Sequence, residues 1–317
     1  MAGNRRSLSR GFAWGRCTWL VALAILAGAV PAFGQQPLTV AEKQGVVLVQ
    51  SGDRVLLEYQ AAANPRKPYV KQWATPSGVN VLRDSPLDHK HHHGLMFAVA
   101  VDGVDFWSET AACGRQLGRP SGKVNVLSPQ GAAWAAFSQT IDWKDARGEK
   151  TLLEEKRTIQ VDPRPDATAS LITWSCRLAA PPGKDVVTLS GSPYFGLGMR
   201  FLVSMDTGGQ FSNAEGKTGV KGTNAARSRW CAYTANADGK PVTVAMFDDR
   251  ANPRHPATWF TMEKFAYVSA TLNLNQQALR VESGKPLELR YGVALWDGKV
   301  EKARIDQLYQ RWLARNE

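Results

Sequence analysis

Short runs of alternating apolar and polar residues, each closed by a turn, recur along almost the whole chain. Alternation with a period of two marks a strand with one buried face, and clusters of Gly, Pro, Asn and Asp mark the reversals between strands. Gly45–Val49 and Val55–Tyr59 flank Ser51-Gly52-Asp53 and predict a hairpin. Leu95–Val101 runs into Asp102-Gly103 ahead of Val104-Asp105-Phe106-Trp107, and Asp-Gly is a strong hairpin turn. Further strands are expected at Ala132–Asp142, Leu152–Val161, Ala169–Leu178, Val186–Leu189, Leu197–Val203, Arg229–Thr234, Val242–Phe247, Tyr267–Leu274, Leu279–Val281 and Leu287–Leu295.

The C-terminus breaks this pattern. Ile305, Leu308, Tyr309 and Trp312 recur at i, i+3, i+4 and i+7, the spacing of one apolar helix face, which predicts a helix packed on the outside of a sheet. Leu95, Phe97, Val99 and Val101 alternate with Met96, Ala98 and Ala100, so both faces of that strand are apolar and it belongs inside a packed sheet. The expected fold is all-β, a large antiparallel β-sandwich with a C-terminal helix. No low-complexity linker or fixed-period repeat follows Gly34, so residues 38–317 read as a single domain.

The first 34 residues read differently. Arg5, Arg6, Arg10 and Arg16 form a positive leader, Thr18 to Val30 is almost wholly apolar, and Ala32-Phe33-Gly34 supplies the small residues a signal peptidase needs. Residues 1–34 are therefore expected to be a cleaved signal peptide, with periplasmic or secreted localisation. The apolar stretch is shorter than the roughly twenty residues that span a bilayer, and no later segment is as apolar, so no transmembrane segment is expected in the mature chain. The twin-arginine route lacks its strong apolar pair after Arg5-Arg6, and Cys17 is misplaced for a lipid anchor.

Composition refines the picture. The 317 residues carry a formal charge of +11, of which the leader holds four arginines and no acid. With an export signal, a basic balance points to a soluble surface or an acidic polysaccharide, and nucleic acid is not an expected partner. Eleven tryptophans suit either a β core or a surface that stacks on sugars. Outside the leader stand Cys113, Cys176 and Cys231, which allow one disulfide and one free thiol, or none; no Cys-x-x-Cys pair exists.

The chemistry concentrates in Asp88-His89-Lys90-His91-His92-His93-Gly94, which holds four of the five histidines. Imidazole binds borderline metals and moves protons near neutral pH. If extended geometry begins at Asp88, His89, His91 and His93 share one face and His92 takes the other, and a His-x-His clip suits zinc, copper or iron. A metal set of His89, His91 and His255 is one reading, with Asp88, Asp105 or Glu109 as further donors. Metal-free proton transfer or sugar binding is a second, and a solvated or rim-capping loop is a third.

This run, with Gly103-Val104-Asp105-Phe106-Trp107, resembles the signature of the PmoA-type family, labelled "methane oxygenase PmoA" and also treated as a domain of unknown function. Gly196-Leu197-Gly198-Met199-Arg200, Asn252-Pro253-Arg254-His255-Pro256 with Trp259, and Gly284 to Tyr291 leading to Asp297-Gly298 extend the resemblance over the whole mature chain. The family carries an arginine where this chain has His93. Methane monooxygenase subunits have several long apolar helices and this sequence has none, so methane oxidation is not carried over. The resemblance implies an exported sandwich similar in outline to the galactose-mutarotase supersandwich.

Other positions have readings of their own. Arg200 is suited to fork onto a carboxylate or sugar hydroxyl, or to pair within the sheet. His255 lies in a proline-rich loop, where functional residues gather but turn histidines also occur. Trp107, Trp230 and Trp259 suit a pyranose platform or the core, and Asp105 and Glu109, flanking Trp107, are carboxylates for acid/base work, although an Asp after a turn commonly bonds the hairpin. No Gly-x-Ser-x-Gly elbow or phosphate-binding glycine loop is present.

Two classes of function remain. As an enzyme, the chain uses His91, His92 and Asp105 as catalytic groups, with Arg200, Trp107, His255 and Trp259 binding a sugar or oligosaccharide for epimerisation, elimination or hydrolysis. The metal reading makes it instead a copper-, zinc- or iron-dependent enzyme on His89, His91 and His255, so the cofactor is unknown and a divalent transition metal is the candidate. As a binding module, the same cleft holds carbohydrate without turnover. Substrate identity and oligomeric state have no signature in the sequence.

Overall fold

The computed structural model describes residues 38–62, 66–119, 124–129, 133–163, 168–262 and 264–315. The expected signal peptide lies outside the described residues. The first part of the chain forms β1 (Leu38–Lys43), β2 (Val46–Ser51), β3 (Arg54–Gln60), β4 (Tyr69–Trp73), β5 (Leu95–Ala98), β6 (Ala100–Val101) and β7 (Val104–Asp105). Then follow β8 (Arg115–Arg119), β9 (Asn125–Val126), β10 (Ala135–Lys144), β11 (Thr151–Asp162), β12 (Ala169–Ala179), β13 (Val186–Ser190), β14 (Gly196–Arg200) and β15 (Gln210–Asn213). A short helix α1 (Gly219–Thr223) precedes β16 (Trp230–Ala237), β17 (Lys240–Asp248), β18 (Thr258–Met262), β19 (Tyr267–Thr271), β20 (Leu279–Glu282), β21 (Leu287–Asp297) and helix α2 (Lys302–Ala314).

These strands pair antiparallel. They build an eight-stranded sheet ordered β1-β2-β3-β4-β5-β14-β19-β18 and a nine-stranded sheet ordered β15-β16-β17-β21-β12-β11-β10-β8, with β9 also on β10. A four-stranded sheet, β20-β13-β6-β7, completes the set. The fold is thus an all-β antiparallel sandwich with a C-terminal helix, as the alternation predicts. No helix among the described residues is long and apolar enough to cross a membrane.

The two large sheets share a core, because inward residues of both must leave water together. Phe97 of β5 meets Trp143 of β10 at 5.9 Å between ring centroids, and Tyr59 of β3 donates its hydroxyl hydrogen to Gln139 of β10 at 2.8 Å. On the other side of the nine-stranded sheet, α2 buries Ile305, Leu308, Tyr309, Trp312 and Leu313 against Trp230, Phe247 and Trp296. The predicted apolar stripe is the face that packs.

Several expected strands change in detail. The Ser51-Gly52-Asp53 hairpin forms, and Asp102-Gly103 turns between β6 and β7 with φ of 47° and 82°, the left-handed pair that a tight hairpin uses. The expected run Leu95–Val101 divides at Val99, so β5 joins the eight-stranded sheet and β6 the four-stranded one. Val104–Trp107 pairs only over Val104–Asp105, and Leu197–Val203 gives way after Arg200 to a 3-10 turn at Val203–Met205. Cys113, Cys176 and Cys231 are buried, separate thiols, so of the two cysteine arrangements the one without a disulfide is found.

Candidate functional site

Strand parity decides which side chains reach the site. Leu197 on β14 lies opposite Phe97, which faces the inter-sheet core, so Gly198 and Arg200, one and three residues on, project from the outer face of the eight-stranded sheet. Across β14, Gly198 faces Ser269 and Arg200 faces Tyr267; across β19, Tyr267 faces Met262 and Ser269 faces Phe260. These residues form one patch on the outer face. A Cβ on Gly198 would overlap the phenol oxygen of Tyr267 and stand 3.2 Å from Trp107, so glycine lets the Tyr267 ring lie across the strand.

The histidine run hangs over this patch. It is not extended, contrary to the strand-like expectation: the His89 amide donates to Pro86 O at 3.0 Å and the His92 amide to His89 O at 2.9 Å, folding the segment into consecutive turns. Its ends are tied by the Ser85 amide to His92 O at 2.9 Å and the Arg200 amide to Gly94 O at 2.8 Å. Gly94 itself admits no side chain, since a Cβ would overlap the Val70 carbonyl. Turning replaces the expected trio of His89, His91 and His93 with His89, His91 and His92. Ring centroids lie 4.7 Å apart for His89–His92, 4.6 Å for His91–His92 and 5.8 Å for His89–His91.

Together these segments enclose a cleft of about 300 Å³ lined by His89, His91, His92, Trp107, Ser108, Tyr194, Phe260, Met262, Phe265 and Tyr267. That is the lower end of the range for small-ligand sites. Tyr267 stacks on His92 at 5.2 Å, Phe265 tilts against His89 at 4.8 Å, and Tyr194 meets Trp107 edge-on at 5.3 Å. His92 Nδ1 and Trp107 Nε1, both buried, have no hydrogen-bond partner among the described residues.

The imidazoles differ in electrostatics. Burial, reinforced by the charges of His91, His89, Arg200 and Lys67, pushes His92 down to about 2, so its ring is neutral at physiological pH. Burial also lowers His91, with Lys67 and His89 acting in the same sense. His89 keeps its Nδ1 3.0 Å from Asp88 Oδ2, and that hydrogen bond holds the Asp88 carboxyl below its usual range. When His89 is neutral and donates that bond, Nε2 is left as a lone-pair base.

His93 turns away from the cleft and is buried between two carboxylates, Nδ1 at 2.7 Å from Asp84 and Nε2 at 2.9 Å from Glu109. Burial opposes its charge, but the bonds to Asp84 and Glu109 outweigh it and raise the imidazole above its ordinary value. Tyr69 donates its hydroxyl hydrogen to Asp84 at 2.9 Å and stacks on His93 at 4.4 Å. At the other end, Lys67 donates to Glu109 at 2.9 Å and to the Trp107 carbonyl at 2.8 Å. Glu109 thus serves this ionic chain behind the cleft.

The remaining expected site residues separate. Asp105 does not line the cleft; its carboxylate accepts the Trp107 amide at 2.6 Å, so it positions Trp107 by the hairpin bonding typical of Asp in turns. Trp259 faces Ala270, itself opposite Leu197, so parity sends it to the core, where its Nε1–H donates to Ser228 O at 2.7 Å. Trp230 is also core, packed near α2. His255 pairs with Asp248 at 2.7 Å and lines no part of the cleft, so His89, His91 and His255 are not brought together. Among the described residues no three His, Cys, Asp or Glu side chains are arranged to hold a metal ion.

Sequence reasoning did not single out Tyr194, Phe260, Met262, Phe265, Tyr267 or Lys67. Phe260 and Met262 alternate within β18, a signal available in the sequence, whereas Lys67 sits in a loop with no pattern to mark it.

A family model for DUF6807, described as a family of unknown function, matches residues 46–310. The chain belongs to DUF6807. This corrects the PmoA-type assignment suggested by the histidine run: the model that matches is that of DUF6807, and nothing in the match supports a methane-oxygenase label. No curated protein matches the chain.

Solved structures similar to this DUF6807 chain include an alpha-galactosidase from Lactobacillus brevis, at 6% identity and TM-score 0.46, covering 86% of this chain and 42% of that one. The chain therefore spans less than half the length of that protein. A galactose mutarotase related enzyme from Lactobacillus acidophilus is similar at 9% identity and TM-score 0.40, covering 83% and 100%. A putative aldose 1-epimerase from Klebsiella pneumoniae follows at 10% identity and TM-score 0.37, covering 85% and 80%.

Proposed function

We propose that this DUF6807 member holds a sugar or short oligosaccharide in the histidine-lined cleft and moves a proton on it, in epimerisation or elimination. The observation that carries this reading is the convergence of His89, His91 and His92 on one wall of a cleft whose other walls are mostly aromatic. Ring faces take the apolar face of a pyranose, and neutral imidazoles exchange hydrogen bonds and protons with its hydroxyls and C–H positions. His91, half-buried and lowered by burial, is the proton acceptor, and the Asp88–His89 pair is the second proton-handling group. His92, too weak a base to hold a proton near neutrality, orients the ligand.

The test is a panel of neutral and acidic monosaccharides and oligosaccharides followed by tryptophan fluorescence and by proton NMR in D2O. A sugar that quenches the wild-type fluorescence and exchanges hydrogen for deuterium, with exchange lost in His91→Ala, supports the enzyme. Quenching without exchange makes the cleft a binding site without turnover. Absence of both across the panel sinks the carbohydrate reading.

We further propose that the chain acts in the periplasm or outside the cell after loss of residues 1–34. The basic leader and the apolar run from Thr18 to Val30 support this. Intact-mass measurement of the exported protein is expected to show a chain beginning at Gln35, and a full-length chain confined to the cytosol would refute it.

A further inference from the structure

The cleft stands beside a cation that proton transfer does not use. Arg200 ends β14 and is the cross-strand partner of Tyr267, a lining residue, so both side chains leave the same face of the sheet. The guanidinium is only 1% exposed, and its Cζ lies 3.8 Å from the ring centroid of Phe265, another lining residue. Its charge contacts are long: Nη2 is 3.5 Å from Asp88 Oδ2 and 3.8 Å from Asp206 Oδ2. Nε and Nη1 have no hydrogen-bond partner among the described residues. Buried N–H donors without acceptors are rare in folded proteins, and a guanidinium is shaped to receive a carboxylate.

The neighbouring carboxylates are committed elsewhere. Asp88 is half exposed and also bonded to His89 at 3.0 Å. Asp206 accepts the Ala266 amide at 2.8 Å and is shared with Arg83 at 3.6 Å. Asp84 and Glu109 are occupied by His93, Tyr69 and Lys67. Arg200 is therefore a buried cation beside the cleft with unused hydrogen-bonding capacity, and the formal charge of +11, which falls to +7 once the leader's four arginines are lost, still gives a field that favours acidic ligands.

We propose that the cleft selects an acidic sugar, a uronic acid or an oligosaccharide ending in one, and that Arg200 receives its carboxylate beside Phe265. This rests on the reading of the cleft as a sugar site. The incoming carboxylate takes over the distant contact of Asp88, which stays with His89, and the pyranose ring then lies along Tyr267 and Trp107 under His91.

The experiment compares D-glucuronate and D-galacturonate with glucose, galactose and glucose 6-phosphate by titration of the wild-type chain. Binding of a uronate at least about tenfold tighter than its neutral hexose is expected, with the advantage falling as salt rises and lost in Arg200→Gln, as about 1.4 kcal/mol of charge-assisted bonding implies. Arg200→Lys, which keeps the charge but not the fork, is expected to retain part of the preference, and circular dichroism establishes that each variant is folded. The wild-type comparison alone decides the matter if a variant does not fold. Neutral and acidic sugars bound equally would overturn the uronate proposal while leaving the sugar site intact. Preference for the phosphate would replace the carboxylate with another anion and also overturn it, and failure of every sugar to bind would overturn both readings.

Discussion

The imidazole of His93 and the carboxylate of Glu109 form a 2.9 Å ion pair beneath the cleft, and the opposite ring nitrogen of His93 is bound to Asp84 at 2.7 Å. Removing one member of such a buried set leaves the others uncompensated. His93→Gln is therefore expected to cost about 3 kcal/mol at pH 6. Because the folded value of His93 is raised, its contribution is complete below the ordinary histidine value of 6.5 and is lost as pH rises through the folded value. Guanidinium unfolding at pH 6 and pH 9 should show the gap narrowing at pH 9. A gap that is unchanged between the two would refute the ionic role.

His92 works in the opposite sense. Its folded value is about 2 against an ordinary 6.5, so between those limits the unfolded chain takes up a proton that the native chain refuses. Native stability should fall by about 1.4 kcal/mol per pH unit below pH 6 on this account. His92→Phe, which keeps an aromatic ring against Tyr267, should flatten that slope by one proton. An identical acid slope in wild type and variant would show that His92 is not the group responsible.

His91 sets the acid limb of the proposed proton transfer. Burial lowers it, so its free base persists below the ordinary value of 6.5. The acid limb of hydrogen–deuterium exchange on a bound sugar should be centred below that ordinary value. A decline centred above pH 6.5 would assign the base elsewhere.

Gly198→Ala tests the floor of the cleft. The added methyl would collide with the fully buried Tyr267 and crowd Trp107. Overpacking of this kind costs about 1–3 kcal/mol, and any relief must push Tyr267 into the ligand space. Lower stability together with loss of sugar-induced fluorescence change is expected; a variant that binds normally would mean that the ligand does not lie over Tyr267.

Much of the sandwich was legible because alternation reports burial directly. β11, β12, β17 and β21 appear close to where period two puts them, and the stripe Ile305, Leu308, Tyr309 and Trp312 is the packed face of α2. What periodicity does not carry is where a strand changes sheet. Val99 sits in an unbroken apolar run, yet β5 and β6 on its two sides belong to different sheets.

The site was legible only in part. The histidine run does form one wall, but turns at Pro86 and His89 reverse its facing, which composition does not encode. Trp259 was a candidate platform and is core, whereas its neighbour Phe260 lines the cleft, because a single step of parity exchanges core for cleft. Lys67, Tyr194 and Phe265 reach the site only through long-range packing, so no local spacing announces them.

The outer face of β14 and β19 floors the cleft, while Leu197 and Ala270 on their inner face belong to the shared core. One thickness of backbone separates recognition from folding there. A ligand that braces this outer layer would stiffen the sandwich through the same strands, so occupancy should be readable as thermal protection of the whole molecule.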